Sequence, residues 1–133
     1  MKQTYRGSCH CGAVRFEAEA DLEQVTFRCN CSFCTKSRAW FAFVPASEVR
    51  VLAGEGELVD YQFGKKRLHH FFCRTCGVRP FTRAIDPKGV PTFALRVNAL
   101  DGVEASTLAA LPVRYFDMLH DRADPPEGET RHL

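Results

Sequence analysis

The chain has 133 residues, 45% of them hydrophobic, with seven cysteines, eleven phenylalanines and a formal net charge of +2. That length suits one domain with a modest core; no apolar run approaches the ~18 residues of a membrane span, and Met1 to Gly7 hold no apolar segment of the kind that opens a secretory signal. The expected location is therefore the cytoplasm, where cysteines stay reduced, and the odd cysteine count also argues against a complete disulfide framework. Thiolate metal sites are the better explanation. Metal binding deprotonates cysteine, so occupied thiolate sites would bring the net charge close to zero. The basic balance is then weak evidence for nucleic acid, and nothing points to a membrane partner.

Taken in chain order, most segments read as short strands with turn residues between them. Ala13 to Glu19 alternates apolar and charged residues, as a half-buried strand does, and Val25 to Cys31 alternates with Val25, Phe27, Cys29 and Cys31 on one face. Trp40 to Val44 stops at Pro45, and Val49 to Leu52 ends at Gly54-Glu55-Gly56. Leu58 to Phe63 and Leu68 to Cys73 flank Gly64-Lys65-Lys66-Arg67 as a hairpin. Asp86-Pro87-Lys88-Gly89 is a turn, and Thr92 to Val97 is the last clear strand. One or two helical turns fit Glu104 to Leu111, before Pro112. The expectation is a single mainly β domain over residues 1–123, with little helix, and a polar C-terminal tail at 124–133.

The cysteines fall into the blocks Cys9-His10-Cys11-Gly12, Cys29-Asn30-Cys31 with Cys34, and Cys73-Arg74-Thr75-Cys76-Gly77. In an extended strand, residues two apart point the same way, about 6.5–7 Å between Cα atoms. Sulfurs around a tetrahedral zinc lie about 3.8 Å apart, so a Cys-x-Cys pair can lean onto one ion. The Cys-x-x-Cys-Gly block does the same from a tight turn, with Gly77, and by analogy Gly12, free to take positive φ. Cys29, Cys31 and Cys34 can reach one metal together, which leaves Cys9, Cys11, Cys73 and Cys76 to close a second site. Four ligands mark a structural zinc and three leave a position open for chemistry. Spacing also permits another grouping, in which Cys31, Cys34, Cys73 and Cys76 form a zinc ribbon and Cys9, Cys11 and Cys29 the open set.

The run from Gly7 to Phe16, the block Cys29-Asn30-Cys31-Ser32-Phe33-Cys34-Thr35-Lys36 and the block Phe72 to Gly77 resemble the glutathione-dependent formaldehyde-activating enzyme family, and Asn98 to Gly102 extends the likeness weakly. The resemblance implies an Mss4-like fold of zinc-bound antiparallel β-sheets. It implies two zinc ions per chain: a structural one at Cys9, Cys11, Cys73 and Cys76, and an open, catalytic one at Cys29, Cys31 and Cys34. It further implies a carbon–sulfur lyase that joins or separates a small thiol such as glutathione and an aldehyde such as formaldehyde. Two departures bear on substrate: Arg79 stands where members often carry histidine, and Thr35 to Trp40 lacks a glycine often seen there.

Around an open zinc such chemistry needs a proton relay and receptors for carboxylates. His10, His69 and His70 are relay candidates because histidine titrates near neutrality. His10 sits between two ligands, and only one of the adjacent His69 and His70 can face a given site. Lys36, Arg38 and Arg79 are candidates for the carboxylates of glutathione, whereas Lys65, Lys66 and Arg67 read as a solvated tip. Trp40, Phe41 and Phe43 suit a pocket wall or the core. The competing function is a zinc-ribbon-like module that binds protein or nucleic acid without catalysis; it needs no open metal position and usually shows a continuous basic face.

Overall fold

The computed structural model describes residues 1–133. Eleven strands form two sheets, joined by two short helices. The first sheet has four strands in the order β10-β1-β2-β5: β1 is Gln3–Ser8, β2 Arg15–Ala20, β5 Val49–Ala53 and β10 Leu100–Asp101. The second has seven, β11-β3-β4-β9-β8-β7-β6: β3 is Thr26–Cys29, β4 Trp40–Pro45, β6 Leu58–Tyr61, β7 His69–Cys73, β8 Phe81–Ile85, β9 Pro91–Arg96 and β11 Val113–Phe116. The helices are α1, Ser32–Ser37, and α2, Ala105–Ala109. Neither is long and apolar enough to cross a membrane.

The alternation in the sequence sorts the faces. In β2, Phe16, Ala18 and Ala20 are buried, while Glu17 and Glu19 point outward toward Arg6 and Arg50. Phe16 meets Phe81 edge-on at 5.8 Å between centroids, and Ala42, Val44, Phe93 and Leu95 join them between the two sheets. Burying aromatic and branched side chains here supplies the main driving force for folding. The opposite face of the seven-stranded sheet carries a second cluster of Phe27, Phe41, Ala94 and Cys29. Phe116 closes it by stacking on Phe27 at 4.7 Å.

Several elements depart from the local patterns. The alternation through Val25–Cys31 ends as strand at Cys29, and Cys31 becomes the N-cap of α1. The link between β6 and β7 is longer than four residues: strand pairing stops at Tyr61 and His70, and the Gln62 side chain donates to the Lys66 and Leu68 carbonyls to shape the loop. β11 pairs in parallel with β3, the one parallel contact of the fold. Past β11 the chain turns back, and Asn30, Ser32 and Lys36 share a cleft with Pro126, Glu127 and His132.

Candidate metal centre

Cys9, Cys11, Cys73 and Cys76 have all four sulfurs within 4.8 Å of one another. Cys11 Sγ lies 3.7 Å from both Cys9 Sγ and Cys73 Sγ, about the edge of a tetrahedron around zinc at 2.3 Å. Two matching turns make the cluster. The Gly12 amide donates to the Cys9 carbonyl at 3.1 Å, and the Gly77 amide to the Cys73 carbonyl at 2.8 Å. Both glycines have positive φ, +80° and +78°. Each turn aims amides at its first sulfur: Val14 N donates to Cys9 Sγ at 3.3 Å, and Thr75 N to Cys73 Sγ at 3.4 Å. The Cys9/Cys11 pair therefore meets in a turn and not along an extended strand. The backbone amides of Cys11 and Val78 draw the Cys76 thiol down to about 6, so this sulfur is poised to ionise.

Cys29, Cys31 and Cys34 form a separate set within the same limit. Cys29 ends β3, Cys31 caps α1 and Cys34 lies in its first turn. The Cys34 amide donates to Cys31 Sγ at 3.2 Å, and the Cys31 amide to Cys29 Sγ at 3.4 Å. A sulfur thus serves as the helix cap, a role usually filled by Ser, Thr, Asp or Asn. Hydrogen bonds from the Cys29 and Cys34 thiols hold the Cys31 thiol far below its ordinary range, while contact with Cys29 and Cys31 pushes Cys34 far above it. Three thiols within 4.8 Å of one another oppose each other's ionisation, and a cation between them would relieve that repulsion. Both clusters can hold a metal ion, and all-sulfur ligation is compatible with zinc. The alternative grouping into a Cys31/Cys34/Cys73/Cys76 ribbon is not formed.

The profile of the family described as glutathione-dependent formaldehyde-activating enzyme matches residues 4–112. The chain belongs to this family. A crystal structure of a Rhodobacter sphaeroides protein, solved as a Northeast Structural Genomics target, is similar to it at 36% sequence identity. The match has a TM-score of 0.69 and covers 81% of this chain and 98% of that one.

In this member of the formaldehyde-activating family, the side chains expected near the trio divide sharply. His10 is exposed in its turn, and His69 bonds Asp60 at 2.7 Å on the surface. His70 faces inward with its ring 4.2 Å from Phe33, the α1 residue between Cys31 and Cys34. Burial, then the charges of Arg96 and Arg79, pull its imidazole down to about 4, so it is neutral at physiological pH. Trp40 donates to the Thr26 hydroxyl at 2.8 Å and packs on the main core, Phe41 is buried beside the trio, and Phe43 is half exposed. Arg38 caps the end of α1 with φ of +51°, and Lys65, Lys66 and Arg67 are exposed in the β6–β7 loop.

Arg79, just past the other cysteine block, reaches Phe33 of α1. Its guanidinium lies over Phe33 at 4.8 Å and Phe72 at 5.1 Å, donates to the His70 carbonyl at 3.3 Å, and has no carboxylate partner. With Lys36, Tyr61 and Phe63 it lines a cleft of about 480 Å³ along α1 that contains no acidic residue. Sequence reasoning missed Tyr61, Phe63 and Arg96. Arg96 left a signal, a charge inside the apolar run Phe93-Ala94-Leu95-Arg96-Val97; the two aromatic residues left none, since their contact with Phe33 is purely tertiary.

Proposed function

We propose that the protein is a zinc enzyme of the carbon–sulfur lyase type, making or breaking a thiol–aldehyde adduct of the glutathione and formaldehyde kind. On this reading Cys9, Cys11, Cys73 and Cys76 hold a structural zinc, and Cys29, Cys31 and Cys34 hold a second, open one. The observation that carries it is the division of seven sulfurs into one complete set of four and one incomplete set of three. When bound, zinc supplies a position at which an incoming thiol is held and more readily loses its proton.

The chain does the rest. The Cys31 and Cys34 amides fix the sulfurs of the trio before any substrate arrives. Arg79 and Lys36, both without a carboxylate partner, receive the carboxylates of the thiol substrate along the cleft. Phe33, Tyr61 and Phe63 exclude water from one side of it.

Cobalt in place of zinc makes thiol binding visible in the absorption spectrum. Glutathione should perturb that spectrum and S-methylglutathione should not. Arg79→Gln should weaken glutathione by about tenfold, the usual worth of a charged hydrogen bond, and affect an uncharged thiol much less. A cobalt protein indifferent to every thiol would defeat the enzyme reading.

A further inference from the structure

Two polar side chains on the face of the trio are unaccounted for by packing. Arg96 is only 4% exposed, yet it has no ion pair, and its guanidinium makes no hydrogen bond within the chain. His70 is 6% exposed; its Nδ1 pairs with the Thr82 hydroxyl at 3.0 Å, while its Nε2 is buried with no partner. A buried guanidinium and an orphaned ring nitrogen are both expensive to maintain unless something meets them.

Strand register puts them on one surface. His70 lies opposite Thr82, Thr82 opposite Ala94, and Ala94 opposite Phe43. Arg96, two residues from Ala94 and so on the same face, lies opposite Phe41, which lies opposite Phe27. Phe27 shares its face with Cys29, at the end of the same strand. The Arg96 guanidinium sits 5.8 Å from the ring of Phe41, which belongs to the cluster that holds Cys29 and has Cys31 and Cys34 packed against it. Phe33 packs on His70 from above. The nearly buried guanidinium and the orphaned ring nitrogen thus belong to the floor on which the trio stands.

We propose that Arg96 and His70 bind the oxygen of the thiol–aldehyde adduct, so that the cysteine trio handles sulfur and this pair handles oxygen; the assignment rests on the carbon–sulfur reading above. When a thiolate adds to the carbonyl carbon, the sulfur–carbon bond forms and the π pair of the C=O bond moves to oxygen. The resulting alkoxide takes one proton and ends as a hydroxyl. In the reverse direction the hydroxyl loses that proton, the sulfur–carbon bond breaks, and its electron pair leaves on sulfur. Negative charge peaks on oxygen both ways, and fixed donors in a water-poor site stabilise it. Arg96 supplies guanidinium N–H groups. His70 supplies Nε2–H when its Nδ1 accepts a hydrogen bond from the Thr82 hydroxyl, and it stays neutral beside two guanidiniums, so it donates without titrating.

Thioacetate carries sulfur and oxygen on one carbon, the connectivity of the adduct; ethanethiol carries the sulfur alone. Titrating both against the cobalt-substituted protein gives a ratio of affinities that isolates the oxygen. Relative to wild type, that ratio should fall about tenfold to a hundredfold in Arg96→Met, from loss of charged hydrogen bonds, and less in Arg96→Lys and His70→Gln. Ethanethiol binding should stay near wild type in all three. Arg96→Lys, which keeps the buried charge, carries the test if Arg96→Met does not fold. An unchanged ratio in every variant overturns the proposal, and so does an equal loss of both ligands, which would mark the pair as structural. If neither ligand perturbs wild-type cobalt, the carbon–sulfur reading fails first and takes this one with it.

Discussion

Asn30 Nδ2 donates to Asp117 Oδ1 at 2.8 Å, across 87 residues of chain. Asn30 stands between two cysteines of the trio, and its Oδ1 also accepts the Leu119 amide at 3.0 Å. Asp117 is 3% exposed and receives His120 as well. One side chain thereby ties Cys29 and Cys31 to the end of β11. Such partners orient ligands and are worth about 10–100-fold in metal affinity. Asn30→Ala should therefore release the trio's metal to a chelator at a correspondingly lower concentration, while the other metal stays bound. Competition with a chromophoric chelator reads both steps, and identical curves for wild type and variant would remove the clamp from the account.

The two cysteine sets should fail differently. Structural zinc contributes folding free energy directly, of order 10 kcal/mol in small zinc peptides, which is an upper guide for a domain with its own core. Cys76→Ser should lower the melting temperature sharply and give about one equivalent of zinc or none. Cys34→Ser should keep one firmly held zinc and a melting temperature close to wild type. Equal destabilisation of the two variants by thermal melt would refute the division of roles. Fully loaded wild type should contain two equivalents by elemental analysis.

Gly54 lies against the turn that presents Cys9. A Cβ at this position would sit 2.1 Å from the Ala13 carbonyl oxygen, and its φ is +81°. Gly54→Ala must therefore shift backbone, at a cost of about 1–3 kcal/mol for a strained conformation. The melting temperature should fall, and the four-cysteine metal should be lost more readily than in wild type. Gly128→Ala, with nothing within 4 Å, should do neither.

Glu17 accepts from Arg50 and, at 3.0 Å, from Arg6 across the outer face of the four-stranded sheet. Arg50 first, then Arg6, holds its carboxyl below the usual range. A depressed carboxyl stabilises the fold above the unfolded value, about 4.3 for Glu, and that contribution is lost as pH falls through the lower folded value. The difference in melting temperature between wild type and Glu17→Gln should be constant above about pH 5 and shrink below about pH 4. Taking the difference removes the loss of metal that both proteins suffer in acid. A gap that widens on acidification would contradict the arrangement.

The cysteine grouping was legible because its information is local. Cys29, Cys31 and Cys34 lie within six residues, and Gly12 and Gly77 mark the turns of the remaining pairs. The alternation of β2 was legible for the same reason. The strand reading of Val25–Cys31 went too far because a thiol can cap a helix as a hydroxyl does, which periodicity does not register. β11 escaped notice because Val113–Phe116 is short and its parallel partner β3 is remote in sequence. Arg79 was noticed as a receptor for carboxylates, but its place over Phe33 is a contact between residues remote in sequence, which spacing does not register. Tertiary contacts of this kind decide what surrounds a metal, whereas spacing decides who binds it.

The sequence distance between ligands sets an order of events during synthesis. Cys29, Cys31 and Cys34 leave the ribosome almost together, so an ion can be captured by the nascent chain at once. The other set must close the long loop from Cys11 to Cys73, whose sulfurs end 3.7 Å apart. At roughly 5–20 residues per second, its last ligand appears a few seconds after Cys34. During that interval Cys9 and Cys11 are thiols awaiting partners. On the proposed assignment, a chain made while zinc is scarce would leave this set open the longest, so starvation would be read out first as a folding failure.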